Sequence, residues 1–357
     1  MHSSTPSSRL RAGDLVTVRL PGEILKTLDA NGTLDEVPFM PEMLEFCGKR
    51  FRVLNRVVQT TIDAAFVDLR NESFVREFRN DDVVILQGVR CSGAEHDGCQ
   101  RGCAIFWKEA WLEKVNDGDH DGVPKRDSAS AVSDELRSIL KTKTQPSKYF
   151  CQSSEFLKAT LHLSSVQRFK KCFSAVAAGN INAWGMMKRI LVWIWWRAHR
   201  KLVGEHVRGT LEKTPTEFLG LKPGELVEVK SLPEIVATLN KKGRNRGLHF
   251  SPDQRPFCGR RYRVRSRADK FIAEGTGEMK HFQNNTVMLE DVLCDSACFA
   301  FGGCYRADLL YWREIWLRRV EAQPSLSGPA AAAAPIALPA MFVTRSASEE
   351  SRDGNKA

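Results

Sequence analysis

No stretch of this chain approaches the ~20 apolar residues that a membrane-spanning helix needs. Its longest apolar run, ILVWIWW from Ile190 to Trp196, is far too short. The amino terminus, MHSSTPSSRLRAGDL, has no apolar core behind a basic start, so no secretory leader is expected and the chain is read as cytoplasmic. In that compartment ten cysteines are expected as thiols, metal ligands or redox groups before disulfides. Neither G-x-G-x-x-G nor a P-loop occurs, and the GTG at Gly275 does not lie between a strand and a helix, which removes support for a phosphate-cradling loop. What is present is ordinary for a globular protein, 42% hydrophobic and 27% charged, with a formal net charge of +10 that favours anionic partners.

The chain is written twice. FCGKRFRV, beginning at Phe46, returns as FCGRRYRV, beginning at Phe257. Residues 13–53 lie on residues 224–264 without a gap, and 17 of those 41 positions are identical. The match resumes at VVILQGVRC, ending at Cys91, against TVMLEDVLC, ending at Cys294, and again at FWKEAWLEKV against YWREIWLRRV. Two copies of one domain of about 100 residues follow, a size that suits independent folding.

Within each copy LVTV and LVEV read as short alternating strands, and PGEILKTL and LPEIVATL as one or two helical turns behind a proline. KRFRVLNRVVQTTI and RRYRVRSRADKFI read as half-buried strands, EGTG (Glu274 to Gly277) as a hairpin turn, and DVVILQGV and TVMLEDV as a buried strand. The expected fold class is α+β, with two SH3-like or partly open β barrels. The expected order is a flexible 1–12, a first cysteine-rich domain at 13–115, a polar linker at 116–149 and a helical connector at 150–210. A second cysteine-rich domain at 211–321 and a disordered tail at 322–357, with its GPAAAAAPIALPA, complete it.

Copy one holds Cys47, Cys91, Cys99 and Cys103; copy two holds Cys258, Cys294, Cys298 and Cys304. Four thiolates saturate a tetrahedral zinc ion, so each copy is expected to close one structural zinc site, with an iron–sulfur cluster as the alternative. Three pairs align, Cys47/Cys258, Cys91/Cys294 and Cys99/Cys304, whereas Cys103 faces Asp308 and Cys298 lies in a loop of variable length. His96 and Asp308 are reserve ligands, and Cys151 and Cys172, outside the copies, are expected to pack. The competing reading is that these cysteines are buried thiols inherited with the core.

Cysteine nucleophiles need a partner base, and His96, His249 and His281 fall at unmatched positions. The matched acids Glu109 and Glu314, each between tryptophans, are expected to pair with a neighbouring arginine rather than to catalyse. DGDHDG (Asp117 to Gly122) starts like a calcium loop but has Ser128 where the bidentate glutamate belongs, so it reads as a solvated acidic segment. The long helix around 186–202 sets Met187, Ile190, Leu191, Ile194 and Ala198 on one face. This stripe is expected to pack the copies together, with peripheral membrane contact as the second choice. KKGRNRG (Lys241 to Gly247) and GRRYRVRSR (Gly259 to Arg267), with Phe250 and Tyr262 interleaved, leave nucleic-acid binding open.

GTLEKTPTEFLGLKPGELVEVKS, the doubled FCGxR(F/Y)RV and the doubled W(K/R)ExWL together resemble an uncharacterised family of bacterial two-copy cysteine-rich proteins, over roughly residues 13–320. That resemblance implies no activity and no catalytic residue, and the Cys298/Asp308 departure distinguishes the second site from the first. The expected function is a non-catalytic binding or scaffold protein for an unknown protein or anionic ligand, built on two metal-stabilised domains. An iron–sulfur accessory or redox protein, and a nucleic-acid-binding protein, are the alternatives.

Overall fold

The computed structural model describes residues 9–62, 74–115, 129–203 and 207–320. The acidic segment at Asp117 to Gly122 and the 322–357 tail lie outside them. The protein is mixed α+β and carries two five-stranded antiparallel sheets of the same topology. In the first, Leu15–Val18 pairs on one side with Arg50–Arg56 and on the other with Leu112–Lys114; Arg50–Arg56 continues to Val83–Arg90 and then Ala104–Lys108. Leu226–Val229, Arg261–Arg267, Thr286–Leu293, Leu309–Arg313 and Leu317–Arg319 repeat this order in the second.

Local chemistry explains why the same phrases are needed twice. Val16 and Val18, and Val227 and Val229, are fully buried while their neighbours are not, the period of a strand with one wet face. FCG ends a 3-10 turn, Pro41–Phe46 or Pro252–Phe257, and begins the next strand. The glycine takes φ near +73° in Gly48 and +72° in Gly259, a region that disfavours side chains, and its amide donates back to Val18 or Val229. The preceding phenylalanine meets the WxxxW motif edge-on: Phe46 lies 6.1 Å from Trp107 and Phe257 6.3 Å from Trp312, while Phe39 and Phe250 approach Trp111 and Trp316 at 5.3 and 5.4 Å. All four tryptophans are fully buried, and each contributes up to about 5 kcal/mol of apolar burial.

The matched glutamates hold the approaching chain, with the arginine partner expected. Glu109 accepts the Leu10 amide and the Arg56 guanidinium, both at 2.6 Å. Glu314 accepts three successive amides, Leu219 to Leu221, at 2.7 to 3.2 Å, and Arg267 at 2.9 Å.

The halves clasp each other reciprocally. Gln100 of the first donates its amide to the Lys270 carbonyl of the second (2.9 Å), and Tyr305 of the second donates to Gln59 of the first (3.2 Å). Arg101 reaches the Ile272 carbonyl and Arg306 the Thr61 carbonyl, each at 3.4 Å. These are matched residues meeting matched residues, as in a twofold interface written into one chain.

The intervening segment is less separate than its composition suggests. Ala129–Ile139 is a helix rather than polar linker, with Leu136 buried in the first core. Phe156 is buried against Phe78 and Phe106, and Thr160–His162 pairs with Val75–Phe78, so much of 150–163 belongs to the first half. The helices Ser165–Ala177 and Ala183–Val203 follow, and Cys172, Ala175 and Met186 pack on Val58 and Tyr305, one residue from each half.

The long helix is rotated from the expected orientation. Met186, Ile190, Trp193 and Trp196 face inward, while Met187, Leu191 and Ile194 of the expected packing stripe are at least half exposed. Its centre is apolar on every side, so periodicity alone selects no face.

Candidate metal centre

Three segments of the first half bring donors of three kinds together. Glu42 sits in the first turn of Pro41–Phe46, Cys91 follows the strand Val83–Arg90, and His96 lies on the loop beyond it. That loop is drawn tight at Gly93, whose φ is +70° and where a β-carbon would come 2.0 Å from the Cys99 carbonyl oxygen. Glu42 Oε1 lies 2.6 Å from His96 Nδ1 and 3.9 Å from Cys91 Sγ, and donor atoms of all three residues fall within 4.8 Å of one another. His96 is 1% and Glu42 6% exposed.

Glu42 and His96 shift each other as a buried acid–imidazole pair. Burial raises the Glu42 carboxyl, but the hydrogen bond and charge of His96 outweigh it and leave it below the usual range. Burial lowers the His96 imidazole, and Glu42 more than reverses that. The Cys91 thiol is pushed well above its ordinary value, by burial first and by the Glu42 charge second. Glu42 Oε2 is buried and makes no hydrogen bond. His96 Nε2 lies 3.0 Å from the Phe150 carbonyl, a second contact that holds the ring in place while Nδ1 faces Glu42.

Beside this triad a small cavity leaves about 20 Å³ for a water-sized sphere, the room of one water or one ion. Cys91, Cys99, Cys103 and Cys151 all line it. Burial holds the Cys103 thiol up at about 12 and the Cys151 thiol at about 11.

The second half places the matched acid, Asp253, 3.8 Å from Cys294 Sγ and 3.3 Å from the Cys298 amide. Burial, then the Asp295 charge, pushes the Asp253 carboxyl up to about 7. Cys298 therefore stands on the loop where the first half uses His96, but this set is more open than Glu42, Cys91 and His96.

The eight expected ligands do not gather as two four-thiol sets among the described residues. Cys91, Cys99 and Cys103 share one cavity, but Cys47 does not line it; its thiol faces the Met43 carbonyl of its own turn, at 4.0 Å. Cys258 caps the equivalent turn. Cys99 and Cys304 turn to the opposite half, Cys99 accepting the Ile272 amide at 3.3 Å and Cys304 lying 3.9 Å from Thr60 Oγ1. Asp308, the other reserve ligand, pairs with Arg306 at 2.9 Å. The physical reason is strand geometry: the cysteine of FCG precedes the central strand of the sheet, whereas the later cysteines lie on the loop between the two strands at one side of it. Glu42 and Asp253 were not among the expected ligands, although an acid at both aligned positions, next to Pro41 and Pro252, was the available signal.

Within the basic runs of the second half Lys241 pairs with Glu212, Arg261 with Glu228 and Arg267 with Glu314. Neighbouring segments carry further ion pairs, Arg318 with Glu234, Arg319 with Glu225 and Lys230 with Glu217. Comparison with protein-family models, with curated proteins and with solved structures gave no match.

Proposed function

We propose that the chain is a non-catalytic binding or scaffold module. It is built from two SH3-like half-barrels joined through a helical connector, and its first half is fastened by one divalent ion on Glu42, Cys91 and His96. The observation that carries this is the convergence of a buried carboxylate, a thiol and an imidazole, with donor atoms of all three within 4.8 Å of one another and the second carboxylate oxygen left without a hydrogen bond. Carboxylate, thiolate and imidazole together suit zinc, the three-donor set leaving one position for water or a neighbouring thiol. A cluster would need four converging thiolates. Protein purified without chelators should carry about one zinc per chain, and replacement by cobalt(II) should give thiolate-to-metal charge-transfer absorption in the near ultraviolet. Metal-free protein that takes up neither ion at micromolar concentration would end this reading.

A second reading, contact with an anionic bilayer, is favoured by the outward face of the two helices. Residues 164–203 contain eight lysines and arginines and no acidic residue. Trp184, Leu191 and Trp195 are 62%, 56% and 53% exposed on that face, and Phe169 and Phe173 are exposed on the neighbouring helix. Lys188 lies over the Trp184 ring at 5.4 Å. Apolar and indole groups among cations are what an interfacial helix presents to headgroups. The full chain should sediment with vesicles containing one third phosphatidylglycerol and not with pure phosphatidylcholine, and L191E/W195E should weaken binding at least about tenfold. Equal recovery with both vesicle types would reject it.

No helix among the described residues is long and apolar enough to cross a membrane.

A further inference from the structure

The duplication supplies an internal control for one buried charge. In the first half Lys108, 1% exposed, places its ammonium 2.6 Å from Asp35 and 2.7 Å from Asp82. Its counterpart in the second half is Arg313: Thr286 pairs with Arg313 across the sheet as Val83 pairs with Lys108. Both acids have changed. Asp35 corresponds to Arg246, and the two share a left-handed backbone, φ 51° and 44°. Asp82 corresponds to Asn285, since Glu109 donates to the Asp82 carbonyl as Glu314 donates to that of Asn285.

Arg313 is 4% exposed and donates to neutral groups: the carbonyls of Asn245, Asn284 and Arg246, and Thr286 Oγ1. Burial, unopposed by any acid, holds it down at about 10. A buried cation without a counter-charge costs stability, so its retention beside an added arginine calls for an anion. Arg313 and Arg246 both line a cavity of about 280 Å³, near the lower size of small-molecule sites. Its wall also carries Phe271, Phe282 and Tyr311, with ring centres 4.7 to 6.2 Å apart, and His281, beside Gly247, Leu248 and Gln283. The Arg313 guanidinium also lies 5.9 Å from the Phe282 ring centre.

We propose that this cavity of the second half binds a small anion carrying a flat aromatic ring, the ring against Phe282 and Tyr311 and the charge at Arg246 in the field of Arg313. The site is separate from the metal centre and does not rest on it. Stacking on the aromatic wall and charge-assisted hydrogen bonds to arginine are complementary demands that such a ligand meets at once.

The test titrates uridine 5′-monophosphate and phenyl phosphate into the full chain by calorimetry at low salt. Binding of at least one of them at a Kd of about 10–500 μM is expected. Uridine and inorganic phosphate should each bind at least about tenfold more weakly, because each meets only one demand. F282A should weaken the probe about tenfold. R246D/N285D, which installs the acids of the first half, should abolish binding and raise the thermal midpoint by about 2–4 °C, because Arg313 then gains its counter-charges. Should the double variant not fold, R246D alone, at an exposed position, carries the same binding expectation. The proposal is overturned if neither probe binds below 5 mM, if inorganic phosphate binds as tightly as the aromatic probes, or if the charge-restored variant binds like the parent.

Discussion

Replacing Glu274 with glutamine is expected to destabilise the folded chain by about 3–5 kcal/mol, the cost of breaking a buried ion pair by removing one partner. Its carboxylate is inaccessible to solvent and Oε2 accepts from Arg101 and from Arg306, both at 2.8 Å. The two arginines occupy matched positions in the two halves and are themselves buried. Arg306 also lies over Phe156 at 4.7 Å and Phe106 at 5.5 Å, so this one acid joins both halves and the segment between them. In E274Q, Arg306 keeps Asp308 at 2.9 Å, whereas Arg101 loses the carboxylate. Urea unfolding should show a lower midpoint with little change in slope. E274Q/R101Q should lose less than the two single variants added together, because residues in one network couple. A loss under about 1 kcal/mol in E274Q would mean that the two halves do not depend on this charge for their union.

The second large effect concerns the ion. C91S and H96A should each lower zinc affinity by about 100-fold or more, since loss of an outer partner alone commonly costs 10- to 100-fold. Removing the ion with a chelator should lower the thermal midpoint of the parent chain and leave that of H96A nearly unchanged, as binding energy here is folding energy. C47S and C258S make the decisive contrast. Their thiols stand apart from the triad, so both variants should keep the metal content of the parent. Loss of zinc in C47S would restore the four-thiol arrangement that the cysteine count suggests, and would reject the mixed-donor site.

Much of the architecture is legible in the residues because duplication exposes it. Two sequences that differ at most positions yet retain Gly48/Gly259, Phe46/Phe257 and the paired tryptophans identify what the fold requires: a left-handed turn and an aromatic core. The alternation of Val16 and Val18, the hairpin at Glu274 to Gly277 and the arginine partners of Glu109 and Glu314 follow from local chemistry and are present. The ligand set is different in kind. Cysteine count and alignment identify candidate donors, but which of them converge depends on how loops cross a sheet, and Glu42 meets Cys91 from 49 positions away. Cys151 enters the same cavity from the segment between the copies, where alignment has nothing to compare.

The amino-acid sequence by itself determined that there are two like β-rich units, where their strands and turns lie, and which positions changed between them. Those properties are carried by neighbours in the chain, through periodicity, backbone freedom at glycine and burial of alternate side chains. Only the tertiary structure decided that the units embrace through Arg101, Arg306 and Glu274, that the long helix turns an apolar face outward, and that Arg313 stands without the acids of its twin. Each of these is a relation between residues remote in sequence, and Coulomb attraction, packing and desolvation act through distance in space.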